Sequence, residues 1–113
     1  MAYDEELAER TRRALARPEL ESDLTEKKMF GGLAFLINGN MACGIVRDEM
    51  MIRVGPEHHD EALAQPYARP MDFTGRPLKG FVYVDSQGTE TDDALTGWIE
   101  RGVEFARTLP AKR

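Results

Sequence analysis

The residue types best suited to metal binding or acid–base chemistry occur together at one place, His58-His59-Asp60-Glu61. Adjacent residues of an α-helix point about 100° apart, whereas helical metal pairs use i, i+3 or i, i+4 spacing, as in H-E-x-x-H. The chain has only two histidines, so it has no third imidazole ligand. We therefore predict the solvated start of a short helix here, and no metal site.

A second candidate for chemistry is Cys43, the single cysteine. It lies between Ala42 and Gly44 in an apolar run, and both histidines are distant from it in sequence. A nucleophilic cysteine needs access and a lowered thiol pKa, and no neighbouring motif supplies either. Because free cysteine is among the most buried residue types, we predict that Cys43 lies in the core.

Two glycine-containing segments, FGGLAF and FTGRPLKGF, are candidates for phosphate-binding loops. They match neither G-x-G-x-x-G nor G-x-x-x-x-G-K-[ST]. Their glycines fall at strand ends, where positive φ or close backbone approach accounts for them. Because the sequence shows no catalytic, cofactor or metal motif, we predict that the protein is not an enzyme and uses no cofactor.

The most distinctive polar feature is the basic and aromatic segment 67–83. Three basic residues stand there against one acid, Asp72, and four aromatic residues are interleaved with them. Cations beside aromatic rings are typical of surfaces that bind single-stranded nucleic acid. The alternative is an edge strand whose charges prevent it from pairing with another chain. The candidate contact residues for nucleic acid or a protein partner are Tyr67, Arg69, Arg76 and Lys79.

Charge and composition narrow the function class. The chain has 20 acidic and 15 basic residues, a net charge of −5, whereas nucleic-acid binders need a basic footprint. The N-terminus MAYDEELAER lacks the layout of a signal peptide, and no apolar run approaches the ~20 residues that span a bilayer. One unpaired cysteine favours a reducing compartment. We expect a cytoplasmic protein without a membrane segment, folded as one domain over residues 1–113.

Hydrophobic periodicity predicts an α+β fold. A helix is expected over residues 3–17, then a polar connector at 19–26 and four short strands between 27 and 54. The pair Asn38-Gly39 predicts a type I′ hairpin, and connections this short permit only antiparallel pairing. A short helix begins at Pro56.

The last third of the chain completes the predicted fold. A short edge strand is expected near residues 71–73 and a further strand at 81–84. Thr91 is a good N-cap for a broadly apolar helix that Pro110 ends. The predicted architecture is a two-layer α+β sandwich with an antiparallel sheet, in the order α, three to four β, α, one to two β, α.

The strands also predict a second apolar surface. Leu33, Phe35 and Ile37 form a bulky face, whereas Ala34 and Leu36 form a face that is apolar but small. A sheet with one face in water shows polar residues at every second position. We therefore expect a helix or a second subunit on this face, and we predict a homodimer.

Three segments in order carry a resemblance to a known family: KKMFGGLAFLINGNMACGI followed by MMIRVGPE, then FTGRPLKGFVYVD, then DDALTGWIERGVEFARTLP. Together they resemble the N-terminal domain of the TfoX/Sxy competence regulators, over about residues 8 to 109. The resemblance implies an antiparallel sheet with helices, similar in layout to type III secretion chaperones, a group that commonly dimerises. It supplies no catalytic motif.

The resemblance also implies a role. Longer relatives regulate bacterial DNA uptake together with the cyclic-AMP receptor protein, and they carry a second, C-terminal helical domain that this sequence does not match. The prediction is a stand-alone, non-enzymatic regulatory or protein-interaction module with a protein partner in transcription regulation. The alternative prediction is a nucleic-acid-binding module that uses segment 67–83.

Overall fold

A computed structural model describes residues 3–29, 31–72 and 77–111. In these residues three α-helices accompany one six-stranded sheet whose pairings are all antiparallel, which confirms the predicted α+β class. The elements in chain order are α1 (Glu5–Leu15), β1 (Leu24–Met29), β2 (Gly32–Ile37), β3 (Asn40–Val46), β4 (Glu49–Arg53), α2 (His59–Leu63), β5 (Ala68–Asp72), β6 (Pro77–Val84) and α3 (Asp92–Arg107), with 3-10 turns at Pro56–His58 and Ser86–Thr89.

The sheet is a meander extended by one later hairpin. Its strand order is β1-β2-β3-β4-β6-β5, so β1 and β5 lie at the two edges. In the turn between β2 and β3, Asn38 and Gly39 have φ values of 53° and 81°, and a type I′ turn requires positive φ at both central residues. The predicted hairpin is confirmed. Arg47, with φ 56°, occupies the turn between β3 and β4.

The first strand begins earlier than the sequence indicates. Residues 24–26 of the expected polar connector belong to β1 and pair with β2, so the connector was too long at its C-terminal end. Leu24 packs against the core, and the carboxylate of Glu26 accepts a hydrogen bond of 2.8 Å from Nε of Arg12 on α1. A polar edge strand lacks the apolar alternation by which strands are recognised.

The second edge strand is also longer than predicted. The sequence indicated an edge strand near 71–73, whereas β5 runs from Ala68 to Asp72, and Phe73 lies outside the described residues. Pro70 is tolerated because β5 is an edge strand. It pairs with β6 alone and needs no backbone hydrogen bonds on its other side.

The packed helices lie on one side of the sheet. Buried residues of all three, such as Leu7 of α1, Ala62 of α2 and Ile99 of α3, share one core cluster with Phe35 and Ile52 of the strands. A second, smaller cluster on the opposite face consists of strand residues alone, among the residues described. The molecule is therefore a two-layer sandwich, and the other sheet face carries no packed helix in the described part of the chain.

Helix α1 places a polar residue inside this core. Thr11 is fully buried on the stripe that contains Leu7 and Leu15. Its hydroxyl donates a hydrogen bond of 2.8 Å to the carbonyl oxygen of Leu7, which removes the cost of burying the group. The N-cap Asp4 accepts hydrogen bonds from the backbone N–H groups of Glu6 and Leu7, so the helix begins at Glu5. It ends at Leu15, and the predicted helix over residues 3–17 was therefore too long at both ends.

Helix α3 approaches the sheet most closely at Gly102. A Cβ atom placed there would lie 2.9 Å from the carbonyl carbon of Ala42 on β3, well inside van der Waals contact. Five buried apolar side chains surround this point along the helix: Leu95, Trp98, Ile99, Val103 and Ala106. The absence of a side chain at Gly102 thus sets the distance between the two layers.

We expect Gly102→Ala to destabilise the fold by about 1–3 kcal/mol, because the added methyl group must push α3 away from β3. Gly97→Ala is the matched control on the same helix, since a Cβ there meets nothing within 4 Å. That control should stabilise the protein by about 0.5–1 kcal/mol through helix propensity alone. Urea unfolding followed by the fluorescence of Trp98 measures both, and a Gly102→Ala variant as stable as the wild type would contradict this packing.

Candidate functional site

The sheet face opposite the helices, which carries no packed helix from residues 3–29, 31–72 and 77–111, has an apolar patch that we call the outer-face cluster. Its buried centre is Val46 and Met51, and Met41, Phe81 and Tyr83 pack around them with part of their surface in water. The cluster crosses three neighbouring strands, β3, β4 and β6. Val46 lies on the apolar second face that the alternation in the sequence predicts. Met41 reaches the same face because the register between β2 and β3 shifts at Phe35 and Leu36, which simple alternation does not predict.

Methionine side chains cover the middle of this face. A Cβ at Gly44 would lie 2.7 Å from the terminal methyl group of Met51 and 3.2 Å from that of Met41, so both side chains lie across the glycine. As a result Met51 and Ala34 are fully buried without a helix above them. The sheet itself supplies part of the cover that we expected from a helix or a second subunit. A second subunit remains a prediction.

Arg69, one of the predicted contact residues, is held in a network on the same face. It lies opposite Tyr83 in the pairing of β5 with β6, and its guanidinium group is 4.9 Å from the centre of the Tyr83 ring. Nε donates a hydrogen bond of 2.9 Å to Asp85, and Nη2 pairs with the half-buried carboxylate of Glu49. Hydrogen bonds first to Glu49 and then to Asp85 raise the pKa of Arg69. Its charge is thus already compensated within the protein.

The other predicted contact residues have different environments. Tyr67 is the one large hydrophobic side chain that is strongly exposed among the described residues, at 49%, and its φ is 69°. Lys79 is exposed on β6, and Arg76 lies outside the described residues. Strand pairing also places Arg53 of β4 opposite Phe81, with its guanidinium group 5.5 Å from the ring centre. Lys79 thus lies near Arg53 at one end of β6, whereas Tyr67 lies beside Asp85 at the other end, so the fold separates the predicted contact residues.

The two histidines have separate environments. His58 is exposed in the 3-10 turn, whereas His59 begins α2 and is buried. The predicted solvated helix start is therefore confirmed for His58 and wrong for His59, because adjacent helical positions point about 100° apart and the second one turns towards the core.

Cys43 lies in the core, as predicted. It is completely buried in β3, and burial raises the pKa of its thiol to about 12. A thiol that is neutral and enclosed at neutral pH is a packing group and a poor nucleophile.

A groove with a volume of about 790 Å³ lies between α2 and α3. We call it the α2–α3 groove. Its lining residues are Val54, Gly55, Pro56, Glu57, His58, Glu61, Gly97, Glu100, Arg101, Glu104, Phe105 and Thr108. The sequence does not indicate this groove, because its two walls are about forty residues apart and neither wall contains a recognisable motif.

An ion pair connects the two walls of the groove. Arg101 of α3 donates hydrogen bonds of 3.2 and 2.9 Å to the two carboxylate oxygens of Glu61 on α2. Those hydrogen bonds, followed by the positive charge itself, lower the pKa of Glu61. The guanidinium group also lies 5.1 Å from the centre of the Trp98 ring, which fixes its position.

Comparisons with known proteins place the chain in a family. The family model described as the TfoX N-terminal domain matches residues 19–106, which is most of the chain. Comparison with curated proteins and with solved structures gave no significant match. In the described part of the chain no helix is both long enough and apolar enough to cross a membrane.

We expect Arg101→Gln to raise the pKa of Glu61 towards its ordinary value of about 4.3, because the hydrogen bonds and the positive charge are both removed. In the wild type the pair stabilises the fold fully above the unfolded pKa of Glu61, and this contribution is lost as pH falls through the lower folded pKa. A carboxyl ¹³C NMR titration measures the shift. Arg107→Gln, exposed on the same helix, is the control and should leave the titration of Glu61 unchanged.

Proposed function

The chain belongs to the TfoX N-terminal domain family, and we propose that it is a non-enzymatic regulatory or protein-interaction module of bacteria. The proposed role is in transcription regulation of the kind that controls competence, exerted through a protein partner in the cytoplasm. The observation that carries the proposal is the outer-face cluster, an apolar patch on a sheet face without packed helices among the described residues.

The chemistry of the described residues supports binding more than catalysis. The cysteine is buried with a raised thiol pKa, and the two histidines lie in different environments away from it in sequence. Arg69, at the centre of the polar network, forms ion pairs with Glu49 and Asp85. The outer-face cluster, in contrast, exposes parts of flexible methionine and aromatic side chains, which adapt to protein surfaces.

We propose further that the outer face pairs with the same face of a second copy. Six strands spaced about 4.8 Å apart give a sheet roughly 24 Å wide, and strands of about six residues are roughly 20 Å long. Such a face offers about 500 Å² per copy, and the two faces together reach the lower limit of specific interfaces. We therefore expect a dimer that dissociates in the micromolar range.

The dimer proposal predicts that Met41→Lys shifts the protein towards the monomer. The added charge lies on the rim of the outer-face cluster, where pairing would bury it without a partner, so the dissociation constant should rise about tenfold or more. Sedimentation velocity at about 1–100 µM, the range expected for a small interface, measures the effect.

Thr96→Lys is the matched control for this experiment. It adds the same charge on the exposed side of α3, on the helical layer, and should leave the dimer unchanged. A wild-type protein that sediments as a monomer over the whole range would overturn the dimer proposal.

A second candidate function is nucleic-acid binding through segment 67–83. One observation favours it: guanidinium groups of Arg53 and Arg69 stack near Phe81 and Tyr83 on neighbouring strands, with Lys79 exposed beside them. Aromatic rings and cations arranged in this way bind single-stranded nucleic acid. The ion pairs of Arg69 and the net charge of −5 oppose it.

If this second function holds, fluorescence anisotropy with labelled single-stranded RNA or DNA should show affinity that falls steeply between about 20 and 200 mM salt. Replacing Arg76 and Lys79 with alanine should then reduce the slope of log K against log salt by about 1.4, from two lost phosphate contacts. Arg107→Ala, on the helical layer, is the control. The absence of binding at the lower salt concentration would exclude the nucleic-acid function.

A further inference from the structure

The α2–α3 groove has the dimensions of a binding site. Its volume of about 790 Å³ lies in the range of roughly 300–1,000 Å³ found for ligand pockets. It follows α3 from Gly97 to Thr108, a length of about 16 Å at 1.5 Å per residue. Its apolar lining comes from Val54, Pro56 and the half-buried ring of Phe105. A groove of this length can accommodate five extended residues or three helical turns.

The charges around the groove are unequal. Glu61 is compensated by Arg101, and Glu100 by Arg17 of the segment after α1. Glu57 and Glu104, which also line the groove and are exposed, have no ion pair among the described residues. The groove thus presents two uncompensated carboxylates beside an apolar surface, and its lining arginine is already engaged. Arg53, which is not a lining residue, lies beyond Phe105 with its guanidinium group 5.2 Å from the ring centre.

Gly97 leaves one position on the groove wall without a side chain. Glycine in the interior of a helix costs about 0.5–1 kcal/mol relative to alanine. No neighbouring atom requires it here, because a Cβ would meet nothing within 4 Å. Because Gly97 lies on the groove wall, the space that a side chain there would fill is part of the groove.

We propose that the α2–α3 groove binds a segment of a partner protein that combines apolar side chains with lysine or arginine. The apolar side chains contact Phe105 and Pro56, and the cation lies near Glu57 and Glu104. The length of the groove along α3 fits a peptide segment. The proposal rests on the proposed interaction role and names the chemistry of the partner, but it does not depend on dimerisation.

The test is an NMR titration of the ¹⁵N-labelled full chain with a synthetic peptide of leucine, alanine and arginine, about 12 residues long to match the groove. We expect shifts of the backbone amides of Gly55, Gly97 and Thr108. A peptide with glutamate in place of arginine should bind about tenfold more weakly, because it faces uncompensated carboxylates. Equal affinity for the two peptides, or no shift at these amides, would overturn the proposal.

Variants of the groove residues test whether the peptide binds in the α2–α3 groove. Replacing Glu57 and Glu104 together with glutamine should weaken binding about fivefold, as expected for two exposed ion pairs. The matched control replaces Glu19 and Glu21, exposed in the connector after α1, and changes the net charge equally without effect on binding. Gly97→Ala should weaken binding although it stabilises the fold. Unchanged binding in the Glu57 and Glu104 variant, or shifts confined to β3, β4 and β6, would contradict the groove.

The dimer proposal and the groove proposal can be contradicted independently of each other. Met41→Lys is expected to remove the dimer and keep peptide binding in the groove. A dimer without peptide binding would end the groove proposal alone, and peptide binding by a monomeric wild type would end the dimer proposal alone.

Discussion

The contact between α3 and β3 at Gly102 is the constraint on which the other features depend. Because the helix backbone lies directly on the backbone of Ala42, its apolar side chains reach the sheet on both sides of that point. This contact places α3 on one face of the sheet, and the cluster on the opposite face consists of strand residues among those described. It also fixes the wall of the α2–α3 groove, since Gly97 and Phe105 precede and follow Gly102 on the same helix.

Local rules predict much of this fold. The hairpin at Asn38-Gly39 follows from turn geometry, and the beginning of α3 at Thr91 follows from capping, where its hydroxyl accepts a hydrogen bond from the Ala94 N–H. The start of β1 was not predictable in this way. Residues 24–26 become a strand through pairing with residues 35–37 of β2 and the contact of Glu26 with Arg12, and the polar sequence of residues 24–26 indicates neither contact.

The candidate surfaces, like the fold, were predictable from local sequence only in part. The apolar face was predictable because alternation in β2 and β3 reports on both sides of a strand. The engagement of Arg69 was not, since a charge count along segment 67–83 omits Glu49 and Asp85, which the fold brings from other elements. A basic residue in sequence is available to a ligand only when tertiary contacts leave its charge uncompensated.

The positions of β1 and β5 at the sheet edges have a consequence for how this domain meets other molecules. A strand from another molecule could pair only with β1 or β5. At β1 it would meet the exposed side chains of Glu26, Lys27 and Lys28. At β5 it would lack one backbone hydrogen-bond donor, because Pro70 has no N–H. Both edges therefore discourage β-augmentation. A partner of the proposed kind would therefore contact side chains on the two layers, where shape and charge rather than strand pairing would select it.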